Sequence, residues 1–380
     1  MRSLYLHIGT EKTGSTTLQN FLAVNEELLN LHNFTYCCDP EKSYYSQADP
    51  IINFGAHFPL AACFSTDCPD YIQESKFKAS DIVLDELKKD LEDESKNVII
   101  SAEYFSSRVR SIEDIFKLKT ALASHNVKVV VYIRPQYDLF CAAYNTSIIT
   151  GRRDKFRISE ANLNNEYFNY ALLIEPWEKV FGTKNIIIRD YKQLVNNDIR
   201  YDFTKIIGIE SQSEFYYGDN QNVSIDTKKI EAVRLINHYL PLFGTVSQEI
   251  SLRSNQIRNV LLRHFIMKGM KANNIISLAD KITIYYLYLS SNKVIQEKFM
   301  QEDGLSGWGS CLIDDPSYEF ISTINTISAL EMAESMVKLG EHIVDLEKTL
   351  ALKNDEIDML KQQLTPVTQE LERLTESFSG

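Results

Sequence analysis

The sequence predicts an α/β protein: a P-loop-type, mainly parallel sheet flanked by helices, with a C-terminal coiled-coil helix. Three observations lead there. Short apolar runs at 4–8, 98–102, 128–133 and 185–189 alternate with helical patterns, as in a parallel sheet covered on both faces. The first run opens directly into the glycine-bounded stretch Gly9-Thr10-Glu11-Lys12-Thr13-Gly14-Ser15-Thr16-Thr17. A heptad repeat closes the chain.

Leu4 to Ile8 reads as the first strand, and Leu18, Phe21 and Leu22 at helical spacing begin a helix beyond the loop. Residues 34–75 show little periodicity and read as a long irregular excursion, a length that inside a domain points to function or mobility. Ile82 to Leu91 reads as a helix leading into the strand at 98–102. A helix at about 112–124 precedes the strand at 128–133. A further helix, the strand at 185–189 and a helix at about 201–207 complete the repeating unit. Residues 226–300 read as mostly helical, with Ile230, Val233 and Ile236 on one face. The tail has Met336, Ile343, Leu350, Ile357, Leu364, Leu371 and Phe378 at seven-residue spacing. Leu339, Leu346, Lys353, Leu360, Val367 and Leu374 interleave at +3, the a/d pattern of a parallel coiled coil. Pro366 must kink or restart that helix. The organisation expected is one P-loop α/β domain over 1–320 and a coiled coil over 328–380, which makes the chain a homo-oligomer.

Composition narrows the function. At 380 residues, 44% hydrophobic and 24% charged, the chain has the make-up of an ordinary soluble protein. No apolar run reaches the roughly 18 residues of a membrane span, and the first strand leaves no room for a signal peptide, so a cytoplasmic location is expected. A formal net charge of −12 argues against general nucleic-acid binding. The six cysteines form no C-x-x-C pair, so reduced thiols rather than a zinc site or disulfides are expected.

The loop after the first strand carries most of the chemistry. Backbone N–H groups and a helix dipole converge there on an anion. A nucleotide triphosphatase places lysine directly after its second glycine; here Ser15 follows Gly14, and Lys12 lies inside the loop. The loop therefore suits a phosphate-like group but not Mg-ATP hydrolysis. K-T-G-[ST]-T after a short strand resembles the 5′-phosphosulfate loop of sulfotransferases that use 3′-phosphoadenosine 5′-phosphosulfate (PAPS). The bacterial sulfotransferase-family proteins and carbohydrate sulfotransferases are the nearest in pattern. The segments Val98 to Glu103, Val129 to Gln136, Trp177 with Phe181-Gly182, Ile186 to Tyr191, Asp202-Phe203, Ile207-Gly208, Asn222-Val223-Ser224 and Ser291-Asn292 recur in the family's order. The resemblance covers roughly residues 1–310.

The resemblance implies roles for particular residues. Lys12 would reach the bridging oxygen of the donor, and Thr13, Gly14, Ser15, Thr16 and Thr17 would hold its 5′-phosphate. Arg134 would bind the 3′-phosphate, with Asp138 and Tyr144 in the accompanying pattern; Ala142 stands where the family has serine. The hydroxyl lost there is one charge-assisted hydrogen bond, about 1.5–3 kcal/mol or roughly 10–100-fold in affinity. Tyr144, Thr146 or Ser147 would substitute from the same helix, and the basic cluster Arg152, Arg153, Lys155 and Arg157 would supply replacement charge or meet an anionic acceptor, the alternative being a solvated loop. Glu103, directly after a buried-type strand, is the expected general base and His57 the second choice. Tyr44, Tyr45, Phe54 and Phe58 would stack on a sugar or anchor the excursion. The function expected is sulfuryl transfer from PAPS to a hydroxyl, of a glycan or glycolipid, without a metal. The alternatives are a degenerate sulfotransferase-like scaffold acting through its coiled coil, and a P-loop nucleotide kinase.

Overall fold

Five strands and the helices between them build the expected parallel sheet. The computed structural model describes residues 2–36, 56–66, 83–92, 95–194, 198–210, 214–217, 227–241, 247–261, 276–300, 305–309 and 337–355, with single-residue or two-residue breaks in some of these stretches. Tyr44, Tyr45, Phe54 and Pro366, together with all of 356–380, lie outside the described residues.

The strands are β1 (Ser3–His7), β2 (Phe34–Thr35), β3 (Asn97–Ser101), β4 (Asn126–Ile133) and β5 (Ile186–Asp190). They lie in the order β2-β3-β1-β4-β5, every neighbouring pair parallel. Helices α1 (Ser15–Val24) and α2 (Glu26–Leu31) connect β1 to β2. Helix α3 (Phe58–Phe64) precedes β3, and α4 (Tyr104–Arg108) and α5 (Ile112–Ala121) follow it. Helices α6 (Gln136–Ile149) and α7 (Tyr170–Phe181) separate β4 from β5, and α8 (Ile199–Ile206) follows β5. The later helices are α9 (Thr227–Ile236), α10 (Gln248–Leu261) and α11 (Leu278–Phe299).

Where residues 34–75 are described, they are more ordered than their pattern predicts. β2 pairs with β3 through Phe34 and Thr35, and α3 buries Phe58, Leu60 and Ala61. Two-residue strands and seven-residue helices are too short for a periodic signal, which is why the sequence reads as irregular. Phe58 is buried edge-on to Tyr104, an anchor rather than a displayed platform.

Both faces of the sheet are covered, which is why β4 is almost continuously apolar. Val129, Val131 and Ile133 pack with Leu4, Leu6 and Ile100 against α5, α7 and α11. Val130 and Tyr132 point to the other face, with Ile99, Leu18, Phe21, Ile199 and Phe203. Polar groups inside these layers are matched. The Tyr132 hydroxyl donates to Asp202 Oδ2 (2.9 Å), and the Arg189 guanidinium donates to the same fully buried carboxylate. Gln136 and Asn292 exchange two amide hydrogen bonds (2.7 and 3.0 Å), and the Ser291 hydroxyl donates to Asn169 Oδ1. These pairs fix α11 to the starts of α6 and α7.

By internal contacts the chain falls into two units rather than splitting at 320–328. The first comprises 1–143, 156–223 and 275–318 and holds the sheet; the second comprises 144–155, 224–274 and 319–380. In the second unit Ile230, Val233 and Ile236 are buried, as their spacing predicts. Its described tail residues are helical, and Val337 and Val344 pack with Ile257, Val260 and Leu261 of α10. Gly340 permits that approach: a Cβ there would lie 3.0 Å from Ile257. Leu350, on the expected coiled-coil seam, is exposed. Ile343 of the expected seam packs against the same intrachain cluster, so the tail helix uses part of the heptad face on its own chain.

Removing Asp202 leaves the fully buried Tyr132 hydroxyl without its acceptor, at a cost of about 1–3 kcal/mol, while the 44% exposed Arg189 turns to water. Asp202→Ala is therefore expected to lower unfolding free energy by about 2 kcal/mol in urea titration. A loss under about 1 kcal/mol would show that the Tyr132–Asp202–Arg189 network is not needed to hold α8 on the sheet.

Candidate active site

The carboxyl edge of the sheet is where each strand hands over to a loop, and β1 lies between β3 and β4 at the point where strand order reverses. The chain leaves β1 still paired on both sides. Ile8 N–H donates to Val130 O (3.0 Å) and Thr10 N–H to Tyr132 O (3.0 Å); Ala102 N–H donates back to His7 O (3.0 Å). The loop then turns through left-handed backbone at Gly9 (φ 100°), Lys12 (φ 64°) and Gly14 (φ 83°). Glycine is needed at Gly14 twice over, since a Cβ there would also lie 3.1 Å from the Tyr191 ring. Gly14 precedes α1 and has no side chain to cap it, so no side-chain acceptor fills the helix's first turn.

Two loop hydroxyls hold the loop itself. Thr13 Oγ1 donates to Thr10 O (2.6 Å), and Ser15 Oγ lies 3.2 Å from the same carbonyl. The expected hydroxyl donation to phosphate is thus used internally at Thr13, and the backbone N–H groups are what the loop offers there. Thr16 and Thr17 are half-buried in the first turn of α1.

Glu103 stands at the N-terminus of α4 and packs on the loop from behind: a Cβ on Gly9 would lie 3.2 Å from its Cα. The residue keeps some exposed surface, but desolvation of its carboxyl dominates its titration. Together with the nearby Glu11 carboxylate, it pushes the pKa from 4.5 up to about 7, against the opposing pull of Lys12 and a hydrogen bond with Ser15. Glu11 is itself held by the Tyr167 hydroxyl (3.1 Å). Lys12, Glu103 and Ser15 therefore come together as the sequence predicts, with Glu11 and Tyr167 as additional members.

Arg134 closes the loop from the β4 side. Its Nη1 donates to Lys12 O (2.8 Å), its guanidinium lies 5.9 Å from the Tyr191 ring centre, and Nη2 is 3.8 Å from Asp138 Oδ2. The Tyr170 hydroxyl donates to Arg134 O (2.6 Å) and so fixes the backbone from which the guanidinium extends. Arg134 Nε is buried without an acceptor among the described residues.

His57 is placed differently. It is buried before α3, its backbone N–H donates to Ser101 O (2.9 Å), and its Nδ1 accepts from Ser101 N–H (3.1 Å). β2 ends too early to pair with β3 at Ser101, and the imidazole takes over that edge. Its Nδ1 is thereby committed to the fold. His7 is a buried strut as well: Nδ1 meets Ser101 Oγ at 2.7 Å, and burial holds its pKa down at about 3, so the ring is neutral.

Tyr144 belongs to the second unit, buried, with Arg152 over its ring at 4.9 Å. Two members of the basic cluster, Arg152 and Arg153, bond that unit's backbone. Arg152 donates to Asp154 O and Lys155 O, and Arg153 donates to Asn237 O and Leu240 O. Tyr170, Tyr167 and Tyr191 are the site residues that sequence reasoning passed over. Tyr191 carried a legible signal, since it follows β5 directly as Arg134 follows β4. Tyr167 and Tyr170 carried none, because a long intervening segment brings them to the edge.

Among the described residues no group of three or more His, Cys, Asp or Glu side chains is placed to hold a metal ion. Comparison with protein-family models, with curated proteins and with solved structures found no match for this chain.

A carboxyl with a raised folded-state pKa stabilises the fold below its ordinary value of 4.5, and that contribution is lost as pH rises through about 7. Glu103→Gln, permanently neutral, is therefore expected to raise Tm more at about pH 8.5 than at about pH 4.5. Equal shifts at both pH values would show that Glu103 titrates as an ordinary carboxylate.

Proposed function

We propose that the chain is a PAPS-dependent sulfotransferase acting on a hydroxyl acceptor, of a glycan or glycolipid. One observation carries this reading. A lysine sits inside the anion loop in left-handed backbone, its carbonyl bonded to an arginine from the next strand, beside a carboxyl that titrates near neutrality. The residues fit an anionic nucleotide: loop amides and the uncapped start of α1 for one phosphate, and Arg134 with its unsatisfied Nε for a second. A kinase reading lacks the lysine at Ser15.

The donor supplies the sulfuryl group and the phosphate that leaves. Lys12 holds positive charge where negative charge accumulates on the leaving oxygen. Glu103 takes the acceptor hydroxyl's proton, and a pKa near 7 suits a base that must accept it and release it at neutral pH. Gly9 and Gly14 let backbone approach closely, and Tyr191 and Tyr170 keep Arg134 oriented. Net charge and the Glu11–Glu103 pair favour an acceptor that is not itself strongly anionic.

Lys12→Ala is expected to abolish transfer of labelled sulfate to glycan acceptors, with Tm nearly unchanged because the side chain is half-buried at the surface. The wild-type rate should rise with pH through about 7 as Glu103 ionises, and Glu103→Gln should remove that rise together with most of the activity. Calorimetry showing no binding of adenosine 3′,5′-bisphosphate would refute the donor assignment.

A further inference from the structure

We infer that Lys192 is the cation that completes the second anion subsite, turning a neutral Arg134–Asp138 pair into one able to select a nucleotide bearing a 3′-phosphate. This rests on the donor reading above and goes beyond it by naming a residue that no sequence pattern marked. Arg134 and Asp138 lie one turn apart, with Nη2 to Oδ2 at 3.8 Å, and their charges cancel. An anion arriving beside such a pair gains little, because the carboxylate repels what the guanidinium attracts. Lys192 changes the sum. It comes from the end of β5, and its Nζ lies 2.8 Å from the same Asp138 Oδ2, so these three side chains carry a net +1; the neighbouring Asp190 carboxyl is taken up by the Lys192 backbone N–H and the Trp308 indole.

The position of Lys192 is built rather than incidental. Its backbone N–H donates to Asp190 Oδ1 (2.9 Å), and Asp190 Oδ2 accepts from the buried Trp308 indole (2.8 Å). Its ammonium lies 5.4 Å from the Tyr137 ring centre, and the Tyr137 hydroxyl donates to Trp308 O (3.0 Å). The ring of the preceding residue, Tyr191, packs on Gly14 and under Arg134. The side chain remains about one-third exposed (34%), so the ammonium can keep Asp138 and still donate to a ligand oxygen. Arg189 is spent on Asp202, and Arg152 and Arg153 on backbone carbonyls; Lys281 lies 6.0 Å from the same Tyr137 ring centre but is buried, whereas Lys192 is open to a ligand. Ala142 supplies no hydroxyl on α6. The Arg134 bond to Lys12 O ties this subsite to the anion loop, so one guanidinium serves both.

The test is isothermal titration calorimetry of wild type, Lys192→Ala and Lys192→Arg with adenosine 3′,5′-bisphosphate and with adenosine 5′-monophosphate, which lacks only the 3′-phosphate. Lys192→Ala should weaken the bisphosphate about 10- to 100-fold, while monophosphate affinity stays within about twofold. Lys192→Arg, which keeps charge and donors, should recover most of the loss and guards against a folding defect. Unchanged bisphosphate affinity in Lys192→Ala, or equal loss for both nucleotides, overturns the role of Lys192 and leaves the donor reading standing. A wild-type protein that does not distinguish the two nucleotides overturns both.

Discussion

The site depends on β1 having a partner on each side. With β3 and β4 both parallel to it, the backbone groups of Ile8, Gly9 and Thr10 remain bonded after the strand has ended. The loop is therefore anchored at its base, and only the stretch from Glu11 to Gly14 is left to shape a cradle. Parallel pairing also brings the ends of β3, β4 and β5 to the same edge. Glu103 and Arg134 reach the loop, and Lys192 reaches Asp138 beside Arg134, because each lies one or two residues beyond its own strand.

Electrostatics at that edge follow from how few charges are left over. Among the described residues Arg189, Arg200 and Lys298 are paired with carboxylates, Arg152 and Arg153 are bonded to carbonyls, and Asp138 cancels Arg134 at short range. What remains is a narrow positive seam from Lys12 through Arg134 to Lys192, beside a negative pair formed by Glu11 and Glu103. Burial and the Glu11 carboxylate push the Glu103 pKa up to about 7, against the pull of Lys12. Tyrosines do much of the holding: Tyr167 on Glu11, Tyr170 on the Arg134 backbone, Tyr191 between Gly14 and Arg134.

The second unit shows how one sequence pattern can serve two surfaces. The tail's heptad places apolar residues at a and d, yet Val337 and Val344, one step round from a, pack within the chain. Leu350 and Leu352 stay exposed. Ile343, itself an a residue, packs with Val337 and Val344, so an apolar repeat by itself does not tell an intrachain face from a partner's.

The strands and the glycine-bounded loop were legible by themselves because their signals are local. An apolar run of strand length, two glycines at fixed separation and a lysine between them need no distant residue to be recognised. Lys12, Glu103 and Arg134 share that property, since each abuts a strand end. Tertiary structure alone decided the rest. It tied the His57 Nδ1 to the Ser101 backbone, put Arg152, Arg153 and Lys155 in Tyr144's unit, and brought Asp138 within reach of Lys192, 54 positions away. Such pairings are set by which strand ends lie side by side in the sheet. Spatial neighbourhood of that kind has no period along the chain and leaves no pattern to read.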